Sequence, residues 1–496
     1  MLMRQIGGYR SGTLVLILAG WLAAAGPDPL LEWNELMLDA IRADDTGPTL
    51  STRNLAMLNV ACHDGVQAVV RTHQPWRFVL PADPDLPLEA VVASAAFETM
   101  YFLYPSFRAR AQALYVAQLE PLPATDPVIE SLALGRDVAF RVLNARSADG
   151  SNTEVPYIPS AAPGAWRRTP PYYRPPLTPH WRYVRTFCVP ELEPFVSPPP
   201  PSLDSAEYAR DLNEVRLIGS RHSAVRTPEQ SEIAVFWSDF SYTAMPPGHW
   251  HEIATGIARD RETSLAGTAR LFAWLSLAQA DTAIVCWETK YRYNFWRPVT
   301  AIQRADEDDN PMTEADPFWD HFLAAPPFPA YTSGHSSFSR AAAQVLTHFY
   351  GTDAIRFSAR SDSMPGVVRT FESLSACADE VGMSRIYGGI HYRFDNREGQ
   401  RSGRLVADYV TAHTLLPNDQ LPLVRVESVV GGRPLLCLLG QPGDALVLEA
   451  GEDLVRWEAI ATATAELGGV TVRDERSSSA GARFYRVRIA GSDPGP

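Results

Sequence analysis

The chain has 496 residues, enough for two to four units with cores of their own. Its 46% hydrophobic and 20% charged residues are ordinary for a globular protein, and a net charge of −13 argues against a nucleic-acid partner. An anionic substrate would need a basic pocket set against the field of the whole molecule.

Residues 1–25 read as an export signal. Arg4 and Arg10 form a short positive region, Gly12 to Leu22 an apolar one, and Ala23-Ala24-Ala25 a small-residue cleavage site. A cleaved signal places the mature protein outside the cytoplasm, secreted or periplasmic, with no stable membrane insertion; an uncleaved anchor is the competing reading. No later run is long and apolar enough to span a bilayer. Helical spacing of apolar residues predicts helices over Asn54 to Arg71, Leu88 to Tyr104 and Asp126 to Asn144. Val155 to Pro201, rich in Pro, Tyr and Trp, predicts an extended wrap, and helical periodicity returns over Ser205 to Ile218 and Pro228 to Asp239. His63 reads as structural, and His249 and His251, after a Pro-Pro-Gly turn, as structural more readily than as part of an entrance. The five cysteines are scattered without a CxxC pair, against a zinc ribbon or a disulfide scaffold; one disulfide stays open.

Three segments then carry the chemistry. In Trp287 to Pro298, Lys290 and Arg297 stand seven apart, which on one helix puts both on one face, two turns apart, with Pro298 ending or bending it. A guanidinium fork and an ammonium point charge suit an oxyanion. Such pairs are usually a solvated face, but the aromatic neighbours here argue for burial, and buried cations need an anionic partner. In Phe328 to Phe338, Thr332 or Ser333 is a natural N-cap and Gly334 lets the backbone approach an anion. The helix that follows, with Phe338, Ala341, Ala342, Val345, Leu346 and Phe349 at core spacing, aims its N–H groups and dipole there. His335 sits in its first turn, where the dipole lowers proton affinity and suits the ring to acid–base work; a plain capped helix with a structural His is the alternative. In Ser384 to Asp395, Arg385 precedes His391 by six residues and Asp395 follows it by one helical turn, near enough to fix the tautomer of the ring.

Near Pro417 the texture changes. Between 424 and 490, short β-like runs alternate with Gly and Asp turns, predicting a small β module of roughly 70 residues behind a Pro-containing linker. Its Leu448 to Trp457 stretch and its closing Arg483 to Val487 resemble a C-terminal sandwich module common on secreted bacterial proteins.

In order and spacing, the three segments resemble the signature of the vanadium-dependent haloperoxidases and the type-2 phosphatidic acid phosphatases: Lys, six residues, Arg-Pro; then Ser-Gly-His; then Ser-Arg, five residues, His. Thr332 stands where the common form has Pro. Trp287 and Phe328 match positions that wall the halide site in fungal chloroperoxidases. The Ile233 to Asp239 stretch is similar to a haloperoxidase segment whose Asp pairs with an active-site Arg, so Asp239 is expected to pair with Arg385 or Arg297. The chain is thus identified as resembling the bacterial haloperoxidase branch over roughly residues 30 to 416, within a helical domain of 26–416. The resemblance implies an all-α core of two four-helix bundles; the β-sandwich-like module read at 424–490 lies beyond the span it covers.

For the site, the resemblance implies vanadate as cofactor and His391 as the one protein ligand to the metal. Lys290, Arg297, Ser333, the Gly334 N–H and Arg385 would neutralise its oxygens, with Asp395 behind His391. His335 would handle protons, Lys290 would polarise peroxide, and Trp287 and Phe328 would desolvate the halide. The implied reaction is oxidation of halide by hydrogen peroxide to hypohalous acid. The halide and any organic acceptor are not assigned, and a homodimer is one option, since relatives are often dimers. The same groups also suit a secreted acid phosphatase, with His391 as phosphoryl nucleophile, Asp395 its orienter and His335 the general acid; Trp287 and Phe328 disfavour that reading. A third reading is a non-enzymatic binding protein that works through the β module.

Overall fold

The computed structural model describes residues 28–430, 433–452, 456–466, 469–475 and 483–491; the export-signal segment 1–25 lies outside them. In chain order the helices are α1 (Pro29–Ala43), α2 (Pro48–Val70), α3 (Leu88–Leu103), α4 (Arg108–Leu119), α5 (Asp126–Ala145), α6 (Ala206–Ile218), α7 (Pro228–Phe236), α8 (Met245–Asp260), α9 (Leu265–Tyr293), α10 (Pro298–Gln303), α11 (Gly334–Tyr350), α12 (Leu374–Tyr387) and α13 (Arg393–His413). A hairpin of β1 (Phe357–Arg360) and β2 (Val368–Phe371) lies between α11 and α12. No described helix is long and apolar enough to cross a membrane.

Local chemistry sets the element ends. Ser205, Ser264, Ser333 and Ser373 cap α6, α9, α11 and α12 through their side chains, and Thr227 with Gln230 forms a capping box on α7. Helix α2 begins at Pro48, six residues before the expected Asn54, and two further ends differ from expectation. Helix α7 stops at Phe236 because Asp239 adopts a left-handed φ of 43°, which a continuing helix does not allow. Lys290 and Arg297 do not share a helix: Asn294, at φ 49°, ends α9 by donating its N–H to the Lys290 carbonyl at 2.9 Å. Pro298 then begins α10 rather than ending α9, and Arg297 is its N-cap. The extended 155–201 wrap crosses this turn: Trp166 N–H donates to Asn294 at 2.7 Å and Trp296 N–H to Gly164 at 2.8 Å.

Helix α9 is buried along nearly all its length, with α2 against one side and α11 and α13 against another. The α11–α13 approach is set by glycine. A Cβ on Gly403 would lie 2.1 Å from the Ser337 carbonyl oxygen, and one on Gly399 2.7 Å from that of Ser333. This close seam holds the N-terminus of α11 beside the N-terminus of α13.

The C-terminal part consists of two three-stranded antiparallel sheets, ordered β3-β4-β7 and β6-β5-β8. Their strands are β3 (Leu423–Val430), β4 (Arg433–Leu439), β5 (Ala445–Gly451), β6 (Glu458–Thr464), β7 (Val470–Arg473) and β8 (Phe484–Ile489). Leu436 and Leu438 of one sheet meet Leu446 and Leu448 of the other in a common core. The module docks on the helices through Leu416 against Cys437 and Leu439, and through Gln74, which donates to the Gly440 carbonyl. The chain is thus a helical core with a small sheet module. None of the five cysteines is in a disulfide.

Candidate active site

Five segments converge on one buried volume. Lys290 comes from the last turn of α9 and is wholly buried. It donates to the carbonyls of Pro329 at 3.0 Å, Ala330 at 3.1 Å and Thr332, and so holds the irregular segment that leads into α11. All three of its protons are engaged on backbone, because a buried ammonium takes the nearest carbonyl dipoles. Arg297 donates from Nε to Phe328 O at 2.9 Å and from Nη1 to Ile390 O at 2.8 Å and to His391 Nε2 at 3.0 Å. Arg385, in the last turn of α12, donates from Nη1 to Trp237 O at 2.8 Å. The Phe328 ring lies beneath two of the cations, 4.9 Å from Lys290 Nζ and 5.0 Å from Arg297 Cζ, and 5.1 Å from the Trp287 ring.

The histidines have fixed surroundings. His391 stands just before α13, and its Nδ1–H donates to Asp395 Oδ2 at 2.7 Å. Asp395 also accepts the Tyr392 N–H at 3.2 Å, so the carboxylate that starts α13 also orients the ring. Nε2 is thereby the lone-pair nitrogen, the one that faces Arg297. Gly389, at φ 76° and with room for no Cβ against the Gly219 carbonyl, makes the turn that delivers His391. His335 lies in the first turn of α11, its Nε2 without a hydrogen bond and 4.0 Å from Asp239 Oδ2. Ser333 Oγ accepts from Ser336 N–H and from the Ser336 hydroxyl, which leaves its own proton to donate elsewhere. A Cβ on Gly334 would meet no protein atom closer than 3.6 Å, so packing alone does not demand glycine there.

Asp239 departs from expectation. It is bonded to neither Arg385 nor Arg297; it accepts the Nδ1–H of His249 at 3.1 Å. The left-handed backbone at Asp239 turns its carboxylate toward α8, where Pro246 and Pro247 fix the first turn and set His249 opposite it. His249 is therefore part of the site's surroundings, and the Pro-Pro-Gly-His run was its one local signal.

Burial and mutual repulsion dominate the electrostatics. Burial pulls Arg385 down to about 9 and Arg297 to about 10, and pulls Lys290 down as well. It also takes His391 and His335 well below the ordinary histidine value, helped by Arg297 on the first and Arg385 on the second. Burial alone would lower His249, but the charge and hydrogen bond of Asp239 outweigh it and raise the ring. Every hydrogen-bond partner of Lys290, Arg297 and Arg385 among the described residues is a backbone carbonyl or the His391 ring. Arg297 Nη2 and Arg385 Nε and Nη2 are buried with no acceptor among the described residues. Buried donors of this kind suit an oxyanion held by two guanidinium groups and the N-terminus of α11.

A pocket of about 290 Å³ reaches this point from the surface. Trp287, Phe328, Gly334, His335, His391 and Asp239 line its inner end, and Asp45, Arg174, Leu177 and Met245 lie on the remainder.

Relatives share this architecture. Residues 270–418 match the family described as the VCPO second helical-bundle domain. Vanadium chloroperoxidase of Curvularia inaequalis is 26% identical over an alignment that covers 74% of this chain and 78% of that protein. The crystal structure of a bacterial vanadium-dependent iodoperoxidase is 30% identical, covers 79% of this chain and 98% of its own, and superposes with a TM-score of 0.69. A holo-type bacterial vanadium-dependent chloroperoxidase shares the fold at 17% identity and a TM-score of 0.60, over 74% of this chain and 92% of its own. By this likeness in sequence, fold and length, the chain belongs to the vanadium-dependent haloperoxidase family.

Proposed function

We propose that the protein binds vanadate at this site and oxidises halide with hydrogen peroxide to hypohalous acid. The observation that carries the reading is the set of acceptor-less guanidinium N–H groups on Arg297 and Arg385 beside a histidine whose Nε2 lone pair is fixed from behind. His391 Nε2 would hold the vanadium. Arg297, Arg385, the Ser333 hydroxyl and the Gly334 N–H would hold the oxygens, and Lys290 would add its charge from behind the 329–332 segment. Bound vanadate supplies a Lewis-acidic centre that activates peroxide toward halide without changing oxidation state.

The chain's own residues do the rest. His335, neutral because it is buried beside Arg385, takes or gives a proton at Nε2, with the Asp239 carboxylate 4.0 Å away to stabilise the charged ring. Asp395 keeps His391 in one tautomer. Trp287 and Phe328 exclude water from the inner end of the pocket, which strengthens every charge there. Hydrolysis of phosphate esters through His391 has no comparable support among the relatives.

We also read the helical core as two four-helix bundles that share α9 as a wall, with the site in the second. The second-bundle match at 270–418 supports this division. The boundaries 26–416 and 424–490, and export directed by residues 1–25, belong to the same proposal. The test is one purified preparation assayed with and without orthovanadate, for peroxide-dependent halogenation and for phosphomonoester hydrolysis side by side. Halogenation that requires vanadate is expected; halogenation without it, or hydrolysis alone, sinks the reading.

A further inference from the structure

The end of α13 and the first two strands of the sheet module bring together three side chains that the reaction does not use. His413, Glu427 and Cys437 offer an imidazole nitrogen, a carboxylate oxygen and a sulfur, all within 4.8 Å of one another. His413 Nδ1–H donates to the Tyr409 carbonyl at 2.8 Å, one turn back on α13, so Nε2 is left with its lone pair. That nitrogen lies 2.9 Å from Glu427 Oε1. Two acceptors therefore face each other, and something positive, a proton or a metal ion, belongs between them. The Tyr409 ring stacks on the imidazole at 4.0 Å and 13°, which holds its direction.

The strands are shaped to the same point. Pairing of β3 with β4 runs from Val426↔Leu436 to Ser428↔Leu435, so Glu427 is the extra residue of a bulge, the device that re-aims a side chain out of a regular ladder. Cys437 is buried on β4 beside Gly469, where a Cβ would fall 2.4 Å from its sulfur; glycine leaves the sulfur its room.

We propose that His413, Glu427 and Cys437 bind a divalent transition-metal ion of the zinc class, with water as the fourth ligand. The donor set is that of a zinc site, and the Tyr409 carbonyl behind His413 is the kind of partner that orients a ligating imidazole. Burial has pushed the Cys437 thiol up to about 12; coordination forms the metal–sulfur bond and releases that proton to solvent. The ion joins the last turn of α13 to β3 and β4, and so clasps the module to the helical core. Asp395 lies 18 residues earlier on the same helix, roughly 27 Å away at 1.5 Å per residue, so the clasp is separate from the vanadate site and independent of the proposed reaction.

The test uses the full-length protein, reduced and stripped with chelator, and Co²⁺ as the probe, because a thiolate ligand gives cobalt a near-ultraviolet charge-transfer band. One equivalent of Co²⁺ with that band is expected, displaced by Zn²⁺, with a melting temperature raised by Zn²⁺. Cys437→Ser should lose the band and the thermal gain, and Glu427→Gln should bind at least about tenfold more weakly. The proposal fails if folded wild-type protein takes up no cobalt, or if the band persists in Cys437→Ser. Should Cys437→Ser not fold, Glu427→Gln decides: cobalt binding as tight as wild type would mean that the ion sits elsewhere and that His413 and Glu427 are only a hydrogen-bonded pair.

Discussion

Arg146 and the pair Arg297 and Arg385 are buried to the same depth in one protein, at 1%, 0% and 0% exposure, yet they are treated in opposite ways. Burial lowers Arg146 and Arg297 alike, both to about 10. Arg146 nevertheless has all three of its side-chain nitrogens answered. It bonds Asp149 at 2.9 Å, the Thr186 carbonyl at 3.0 Å and the Arg185 carbonyl at 2.6 Å, with the Phe187 ring 3.7 Å from its Cζ. Arg53 shares Asp149 at 2.8 Å and completes the cluster. Among the described residues, Arg297 and Arg385 make no hydrogen bond to a carboxylate and keep three nitrogens unanswered between them. A perturbed guanidinium thus does not mark a functional site by itself. What separates a structural arginine from a binding one is whether the fold supplies its acceptors or leaves them to a ligand.

The contrast can be broken from either side. The largest effect belongs to Arg146→Ala, which leaves Asp149 with less of its charge answered inside the protein. It should cost about 3–5 kcal/mol by denaturant unfolding, with vanadate affinity of the folded protein little changed. Arg385→Ala should do the reverse. Loss of the charged donors weakens vanadate binding roughly a hundredfold, about 3 kcal/mol by calorimetry, while the melting temperature stays level or rises. If Arg385→Ala binds vanadate normally, or if both variants lose stability equally, the two arginine groups do not differ in this way.

Gly403→Ala probes what holds the binding side together. Its Cβ would lie 2.1 Å from the Ser337 backbone, so α11 and α13 must part. About 1–3 kcal/mol of stability should go, and vanadate should bind more weakly as Ser333 and His391 separate.

The smallest effect is on pH dependence, from a site outside both arginine groups. Burial lowers His63 to about 3. Above the ordinary value of 6.5 both folded and unfolded chains carry it neutral, and it costs nothing. As pH falls from 6.5 toward 3, the unfolded chain takes up a proton that the folded one refuses. Stability should drop by up to about 1.4 kcal/mol per pH unit from this group. His63→Gln should flatten that slope in melts between pH 7 and pH 5; an unchanged slope would place the acid sensitivity elsewhere, for instance at His251, lowered by burial to about 4.

Much of the fold was legible because it is local. Helices α3, α5 and α6 begin and end within a residue or two of where apolar spacing and Ser205 put them, and the change near Pro417 marks where helix gives way to strand. The errors occur where backbone direction overrides periodicity. Lys290 and Arg297 look like one helical face at a spacing of seven, but Asn294 in the left-handed region and Pro298 split the segment into two helices. Asp239 looked like an arginine partner, but its own positive φ turns it to His249. His249 carries only the Pro-Pro-Gly-His run as a local signal, since its importance lies in a contact ten residues away that only the turn creates.

The sequence by itself determined the inventory of the site and its order: two cations before a proline, a capped glycine and histidine at a helix start, an arginine six residues before a histidine. It could do so because caps, first-turn histidines and one-turn His–Asp contacts are short-range. Only the tertiary structure decided which of those charges are answered and which are left open. That depends on the glycine seam between α11 and α13, on the wrap that crosses the Asn294 turn, and on where each donor finds a carbonyl. It also decided that His413, Glu427 and Cys437 meet, through a bulge that no spacing in the chain announces. These are contacts between segments far apart in sequence, and linear spacing carries no information about which buried donor will find an acceptor.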